Sequence, residues 1–280
     1  MSIIEIKDLS FSYAGSTRKS LSRVNITVLK GEFVVVTGPS GCGKTTLCRC
    51  LNGLVPNFYS GELEGEVLVC GMDIRKESTG TLSRRVGFVF QNPENQLFSL
   101  TVERDVAFGP ENMGLHRDEI RRRVEWALSV TGIQSLRDRA PYELSGGQQQ
   151  RAAIASVLAM RPEIMVLDEP TSFLDPKSSK EILQVVSKLN RELGMTVLLV
   201  EHRLDLATRH SSRIIVLDKG TVVLDGPPQD VYNEEAHLIG IGVPKVSLLF
   251  HLLRHDGVKI EKMPVTVEEG AEELRRILRK

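Results

Sequence analysis

Nothing in this sequence is long and apolar enough to span a bilayer, which takes roughly 18 consecutive apolar residues. The longest apolar runs, 164–167 and 197–200, have the length of buried strands. The opening residues, Met1-Ser2-Ile3-Ile4-Glu5-Ile6-Lys7, lack the basic stretch, apolar core and cleavage site of a secretory leader, so a cytoplasmic protein is expected. Neither sign of charge is in surplus, with 36 Lys and Arg against 36 Asp and Glu. That balance removes the basic footprint of a nucleic-acid binder. The densest basic run, Arg121-Arg122-Arg123, lies where Ile120, Val124 and Leu128 recur at helical spacing, and reads as a solvated helix face. Cysteine is scarce. Cys42, Cys48, Cys50 and Cys70 have neither disulfide-scaffold density nor zinc spacing, which leaves reduced thiols. Repeats and low-complexity tracts are absent.

What is present is an alternation of strands and helices over 280 residues, a length that suggests a main domain plus a smaller one. Strand character appears at 5–12, 25–29, 33–37, 66–70, 85–90, 164–167 and 196–200. Helical character appears at 44–51, 147–160 and 177–193, and throughout a charged insertion at 103–140. Residues 214–217 and 221–224, joined by Asp218-Lys219-Gly220, predict a hairpin. The order implies an α/β core around a largely parallel sheet, with an antiparallel β region before it. Gly226-Pro227-Pro228 breaks the pattern. Short helices are expected beyond it, with a capping box at Thr266 and Glu269 and an apolar stripe of Val267, Ala271, Leu274 and Leu278. The predicted division is 1–228, with a helical subdomain at about 92–146, and a C-terminal extension at 229–280.

Two glycine loops carry the chemistry. Gly38-Pro39-Ser40-Gly41-Cys42-Gly43-Lys44-Thr45-Thr46 follows a strand and opens a helix, the context of a phosphate-binding loop. Its glycines let backbone N–H groups wrap a phosphate, and the helix adds its positive end. Lys44 is expected on the β- and γ-phosphates of ATP and the Thr45 hydroxyl on Mg²⁺. Leu144-Ser145-Gly146-Gly147-Gln148 opens a second helix and offers an anion site without a lysine, so it is expected to complement a phosphate held elsewhere. Asp168 and Glu169 end the apolar strand 164–167, where ligands of such sheets bind. Asp168 is expected to orient Mg²⁺, and Glu169 to polarise the attacking water. Gln91 and His202 also follow strands and reach the same sheet edge. Gln91 is a candidate for the Mg²⁺ or the water, and His202 for the γ-phosphate. Each of these single residues is as readily a polar strand end; their order along the chain raises them together.

Taken as a set, 38–45, Gln91, 144–148, 164–169, 172–175 and His202 resemble the nucleotide-binding subunits of ABC transporters. The resemblance covers about residues 3–228. It implies a P-loop ABC ATPase fold and a head-to-tail dimer in which each ATP lies between the phosphate loop of one cassette and the signature loop of the other, a C2 arrangement. It assigns Asp175 and its loop to contact across the dimer, with Phe173 where a small residue is usual. It matches Tyr13 to the aromatic that stacks on adenine, with Phe11 the competing candidate and core packing open to either.

A narrower resemblance follows. Residues 86–98, Val-Gly-Phe-Val-Phe-Gln-Asn-Pro-Glu-Asn-Gln-Leu-Phe, and 101–114, Thr-Val-Glu-Arg-Asp-Val-Ala-Phe-Gly-Pro-Glu-Asn-Met-Gly, look like the ATPase subunits of energy-coupling factor transporters. Residues 243–278 resemble the helical extension of that group. This implies uptake of a vitamin or a transition-metal ion, with a transmembrane coupling protein and a substrate-binding membrane protein as partners. It implies either a homodimer or a heterodimer with a related ATPase. It also places the chain at the cytoplasmic face of the cell membrane, with Glu94 open to pairing with a partner arginine. The competing class is a non-transport ABC ATPase of DNA repair or translation. The single cassette, the missing heptads and the balanced charge speak against it.

Overall fold

The computed structural model describes all residues except 233–235, 237–238 and 279–280. In chain order the strands are β1 (Ser2–Tyr13), β2 (Leu21–Leu29), β3 (Phe33–Thr37), β4 (Gly61–Val69), β5 (Met72–Asp73), β6 (Val86–Val89), β7 (Ile164–Asp168), β8 (Thr196–Val200), β9 (Arg213–Asp218) and β10 (Thr221–Gly226). The helices up to residue 231 are α1 (Lys44–Leu51), α2 (Leu54–Asn57), α3 (Thr79–Ser83), α4 (Val102–Asn112), α5 (Arg117–Thr131), α6 (Gly146–Leu158), α7 (Pro176–Leu193), α8 (Leu204–Ala207) and α9 (Pro228–Val231). Helices Lys245–His255 and Val267–Leu278 follow.

Two sheets form. One is antiparallel with order β2-β1-β4-β5; the other has order β10-β9-β3-β8-β7-β6 and is parallel except for the β9–β10 hairpin. The parallel strands are apolar along their interiors because both faces are covered, with Thr37, Asp168, Thr196, Arg213 and Asp218 at their ends. Phe33, Val35, Met165, Leu167, Val197 and Leu199 pack under the helices. Val34, Val36, Ile164, Val166, Leu198 and Val200 pack toward α1 and the antiparallel sheet. One strand residue in two therefore belongs to each core, as a period of two requires.

The expected strands are in place, and three begin three or more residues earlier than the sequence pattern suggests, at Ser2, Leu21 and Gly61. The glycines and glutamates of 61–65 carry no strand signal of their own. Pairing with β1, Leu63 opposite Phe11 and Gly61 opposite Tyr13, supplies it. In the helical layer α4 and α5 pack on α6, and α6 in turn packs on β6.

The C-terminal stripe differs from expectation. Val267 and Leu278 are 75% and 83% exposed, while Gly270 and Glu273 are buried. The helix seats on Gly270 and Glu273, with Ala271 and Leu274 of the expected stripe half-buried beside them. Gly270 lies so close to Val246 that a Cβ would come within 2.4 Å of Val246 Cγ2, and Glu273 accepts from Arg276 and from the Glu261 N–H. The capping box is also shifted: Thr266 Oγ1 accepts from the Glu269 N–H, but the Glu269 carboxylate accepts from Val265 rather than Thr266. The extension is tied to the main domain after β8, where Asp205 accepts from the Lys245 N–H at 3.0 Å and Arg209 pairs with Glu268. Among the described residues no helix is long and apolar enough to cross a membrane.

Candidate nucleotide site

The loop between β3 and α1 is shaped by close approach. A Cβ on Gly38 would fall 2.0 Å from the Leu217 carbonyl oxygen, and one on Gly43 2.4 Å from that of Ser20, with φ of +144° and +110°. Only glycine meets both demands. Ser40 and Gly41 are exposed at the loop's tip; Pro39, Gly43 and Thr45 are half-buried, and Cys42 and Thr46 are buried. Lys44 is buried and folds back over its own loop, its Nζ donating to the carbonyls of Gly38 (2.9 Å) and Pro39 (3.0 Å). The Cys42 thiol lies 3.9 Å from that Nζ, and burial raises its pKa above the ordinary thiol value. Cys50, also buried, is pushed up to about 12, as expected of inert core thiols.

Asp168 and Glu169 end β7 beside Val200 of β8. Asp168 is 5% exposed, and its Oδ1 is buried with no hydrogen-bond partner. Burial raises its carboxyl above the usual range, partly opposed by a hydrogen bond from the Thr45 hydroxyl. At Glu169 the backbone turns left-handed, φ +50°. That turn aims the second carboxylate into a separate cluster. Its Oε2 accepts from Gln91 Nε2 at 3.0 Å and from the Ser172 hydroxyl at 2.9 Å, while its Oε1 lies 2.9 Å from His202 Nε2. Gln91, Glu169 and His202, which the sequence separates by up to 111 residues (202 − 91), therefore form one bonded group.

Tyr13 is half-buried. Its hydroxyl lies 3.1 Å from Thr46 Oγ1 and accepts from Arg49 at 3.3 Å, and its ring meets Phe11 edge-on at 4.9 Å. Phe11 is fully buried and so can stack on no ligand, which leaves Tyr13 as the aromatic candidate.

The second glycine loop lies elsewhere. Ser145 and Gly146 are exposed at the head of α6, and Gln148 Oε1 accepts from the Ser145 N–H at 2.9 Å. Gly146 and Gly147 face Leu174 and Ser178. Asp175 caps α7, accepting from the N–H groups of Lys177 (2.9 Å) and Ser178 (3.0 Å), and these bonds with the Ser178 hydroxyl lower its pKa. Among the described residues no hydrogen bond joins this loop to the one at 38–46.

Ser172, Thr171, Glu201 and Arg203 also belong to the site's frame, and the sequence reading gave none of them a part in the cluster. Glu201 had one visible mark: an acid placed directly after a five-residue apolar strand.

Chemically, the arrangement pairs a buried carboxylate with a free oxygen and a nearby hydroxyl, which suits a hydrated divalent cation. No three His, Cys, Asp or Glu side chains cluster among the described residues. A cation here would thus take most of its ligands from phosphate and water, the Mg²⁺ habit.

A family model described as ABC transporter matches residues 21–172. A Pyrococcus horikoshii protein carrying the name ABC transporter ATP-binding protein is 45% identical over 277 residues, 98% of this chain and 97% of its own length. A Methanosarcina mazei protein of the same name is 48% identical over 254 residues, 90% of this chain but 43% of that protein. Among solved structures, cbiO1 from Clostridium perfringens, part of the ABC transporter complex cbiONQ, superposes with TM-score 0.77 at 36% identity over 90% of this chain and 99% of its own. A dimeric ATP-binding cassette in a post-hydrolysis state with ADP and Pi superposes with TM-score 0.70 at 32% identity, over 80% of this chain and 98% of its own.

Proposed function

Because this chain belongs to the ABC transporter ATP-binding family, an ATP-hydrolysing transporter cassette, we propose that it powers an importer of the energy-coupling factor type. In this reading two cassettes close head to tail, as a homodimer or with a related ATPase, at the cytoplasmic face of the cell membrane. ATP lies between residues 38–46 of one chain and Ser145, Gly146, Gly147 and Gln148 of the other, with Tyr13 on the adenine and Asp175 at the crossing. The observation that carries the hydrolytic part is the bonded group of Gln91, Glu169 and His202. Glu169 takes the proton of the attacking water as general base. His202 orients Glu169 and donates to the γ-phosphate, and Gln91 holds the carboxylate from the other side. Thr45, Asp168 and Gln91 would hold Mg²⁺. That ion would spread the charge of the β- and γ-phosphates.

The likeness to cbiO1, part of a cbiONQ complex, favours the importer reading. So does an apolar groove of about 260 Å³ between β6, α4 and the segment after Gln91, where Phe98 and Phe108 are exposed beside Phe88 and Phe90. A transmembrane coupling protein would seat a helix there, and Glu94, which lines the neighbouring hollow that shares Phe98, would meet a basic residue of it. The cargo is a vitamin or a transition-metal ion, recognised by a separate membrane protein.

Two measurements test this. Glu169→Gln binds ATP and forms a nucleotide-dependent dimer, seen by gel filtration, while turnover falls by roughly 10²–10⁴; near-parental phosphate release removes Glu169 from the role. Glu94→Arg keeps ATP turnover in the isolated cassette but abolishes co-purification with membrane partners. Intact assembly and uptake in that variant would refute the Glu94 contact.

A further inference from the structure

Glu201 has no part in the reading above, yet it is fully engaged. It follows the last residue of β8, precedes His202 and is 1% exposed. Its Oε1 accepts from the backbone N–H groups of His202 at 2.8 Å and Arg203 at 3.0 Å. Its Oε2 accepts from the hydroxyl of Thr171, a fully buried residue two positions after Glu169. On the other side of His202, Arg203 Nη1 donates to the Leu174 carbonyl at 3.1 Å and the Ser179 hydroxyl at 2.8 Å. Both neighbours of His202 thus grip the stretch 171–179. That stretch also lends Ser172 to Glu169 and Asp175 to the head of α7.

A buried acid is costly unless every lone pair finds a donor. An apolar residue would have continued β8 at no such cost, so the acid needs a purpose. Geometry supplies one. The imidazole of His202 meets Glu169 at 2.9 Å, and a displacement of about 1 Å in a reacting constellation lowers turnover by roughly 100-fold. The Glu201 carboxylate fixes the His202 backbone against Thr171, and Thr171 stands two residues from Glu169. The base and its histidine are thereby referenced to one another through a single side chain.

We propose that Glu201 is a positioning residue for ATP hydrolysis, holding the His202 loop in register with Glu169 and binding it to the 171–175 loop so that the two move as one body. The proposal rests on the roles assigned above to Glu169 and His202.

The test uses the full chain, with kcat, KM and ATP affinity measured separately. Glu201→Ala lowers kcat roughly 10- to 100-fold while KM and ATP affinity stay within about threefold. Glu201→Gln recovers much of the loss, since its amide oxygen still accepts both N–H groups and its nitrogen can donate to Thr171. Thr171→Val lowers kcat in the same sense, and the Thr171→Val, Glu201→Ala double variant is no slower than Glu201→Ala alone. Parental kcat in Glu201→Ala overturns the proposal. So does a parallel loss of affinity and kcat that Gln does not rescue. If Glu201→Ala does not fold, Thr171→Val decides, and unchanged kcat there overturns it. His202→Ala separates the two levels: a dead His202→Ala beside an active Glu201→Ala removes only the positioning role, whereas an active His202→Ala removes the site assignment and this proposal with it.

Discussion

Asp168 and Glu169 are adjacent carboxylates in opposite surroundings. Glu169 is satisfied by three partners, whereas Asp168 keeps one buried oxygen bare and is held above its ordinary pKa by burial. The sign of the consequence follows from linkage. Well below the unfolded value of 3.8 both states hold the proton, and Asp168 is neutral toward stability. As pH rises through 3.8 toward the higher folded value, the unfolded chain releases its proton first, so folding loses free energy. Above the folded value that loss is complete and constant. Asp168→Asn is therefore expected to melt higher than the parent at pH 7 without nucleotide, to lose this advantage as pH falls toward 3.8, and to lose ATP turnover. Thermal melts at several pH values check it; an Asn variant that melts lower at pH 7 contradicts it. Asp168, Glu169, Gln91 and His202 were legible because each sits at a strand end in a familiar order. Glu201 and Thr171 were not, since their partnership spans 30 residues and obeys no spacing rule.

The elements most easily read are those whose pattern is dictated twice. Strands β3 and β8 match the sequence reading residue for residue, because propensity and two-sided burial ask for the same apolar run. Helix α1 also matches, since the glycines before it leave the chain one place to start. Helix Val267–Leu278 shows the converse. Its apolar spacing reveals which residues could be buried, but only tertiary packing decides which side has a neighbour, and here Gly270 lies against Val246 and Phe250. Gly270→Val is accordingly expected to cost about 1–3 kcal/mol through overpacking and to loosen the extension from the main domain. Limited proteolysis reads this out as earlier cleavage within 256–266; unchanged protection contradicts it.

At the scale of the whole molecule, the two glycine loops rest on different supports. The loop at 38–46 is walled by Ser20 and Leu217, and the loop at 144–148 lies against Leu174 and Ser178. If each site is shared between two chains, two inactive variants should rescue one another. Lys44→Ala and Gly146→Asp, each dead alone, form mixed dimers with one doubly damaged site and one intact site. Random pairing makes half the dimers mixed, so about a quarter of parental turnover returns when the sites act independently. A mixture as inactive as its components places each site within one chain.

Lys44 gives that architecture an electrostatic logic. Its ammonium is buried against neutral carbonyls, and among the described residues no carboxylate stands within ion-pair distance. A cation sequestered in this way is a standing demand for countercharge. In the proposed site, the side chain that holds the loop in shape would also select for dense negative charge, the chemistry of a polyphosphate.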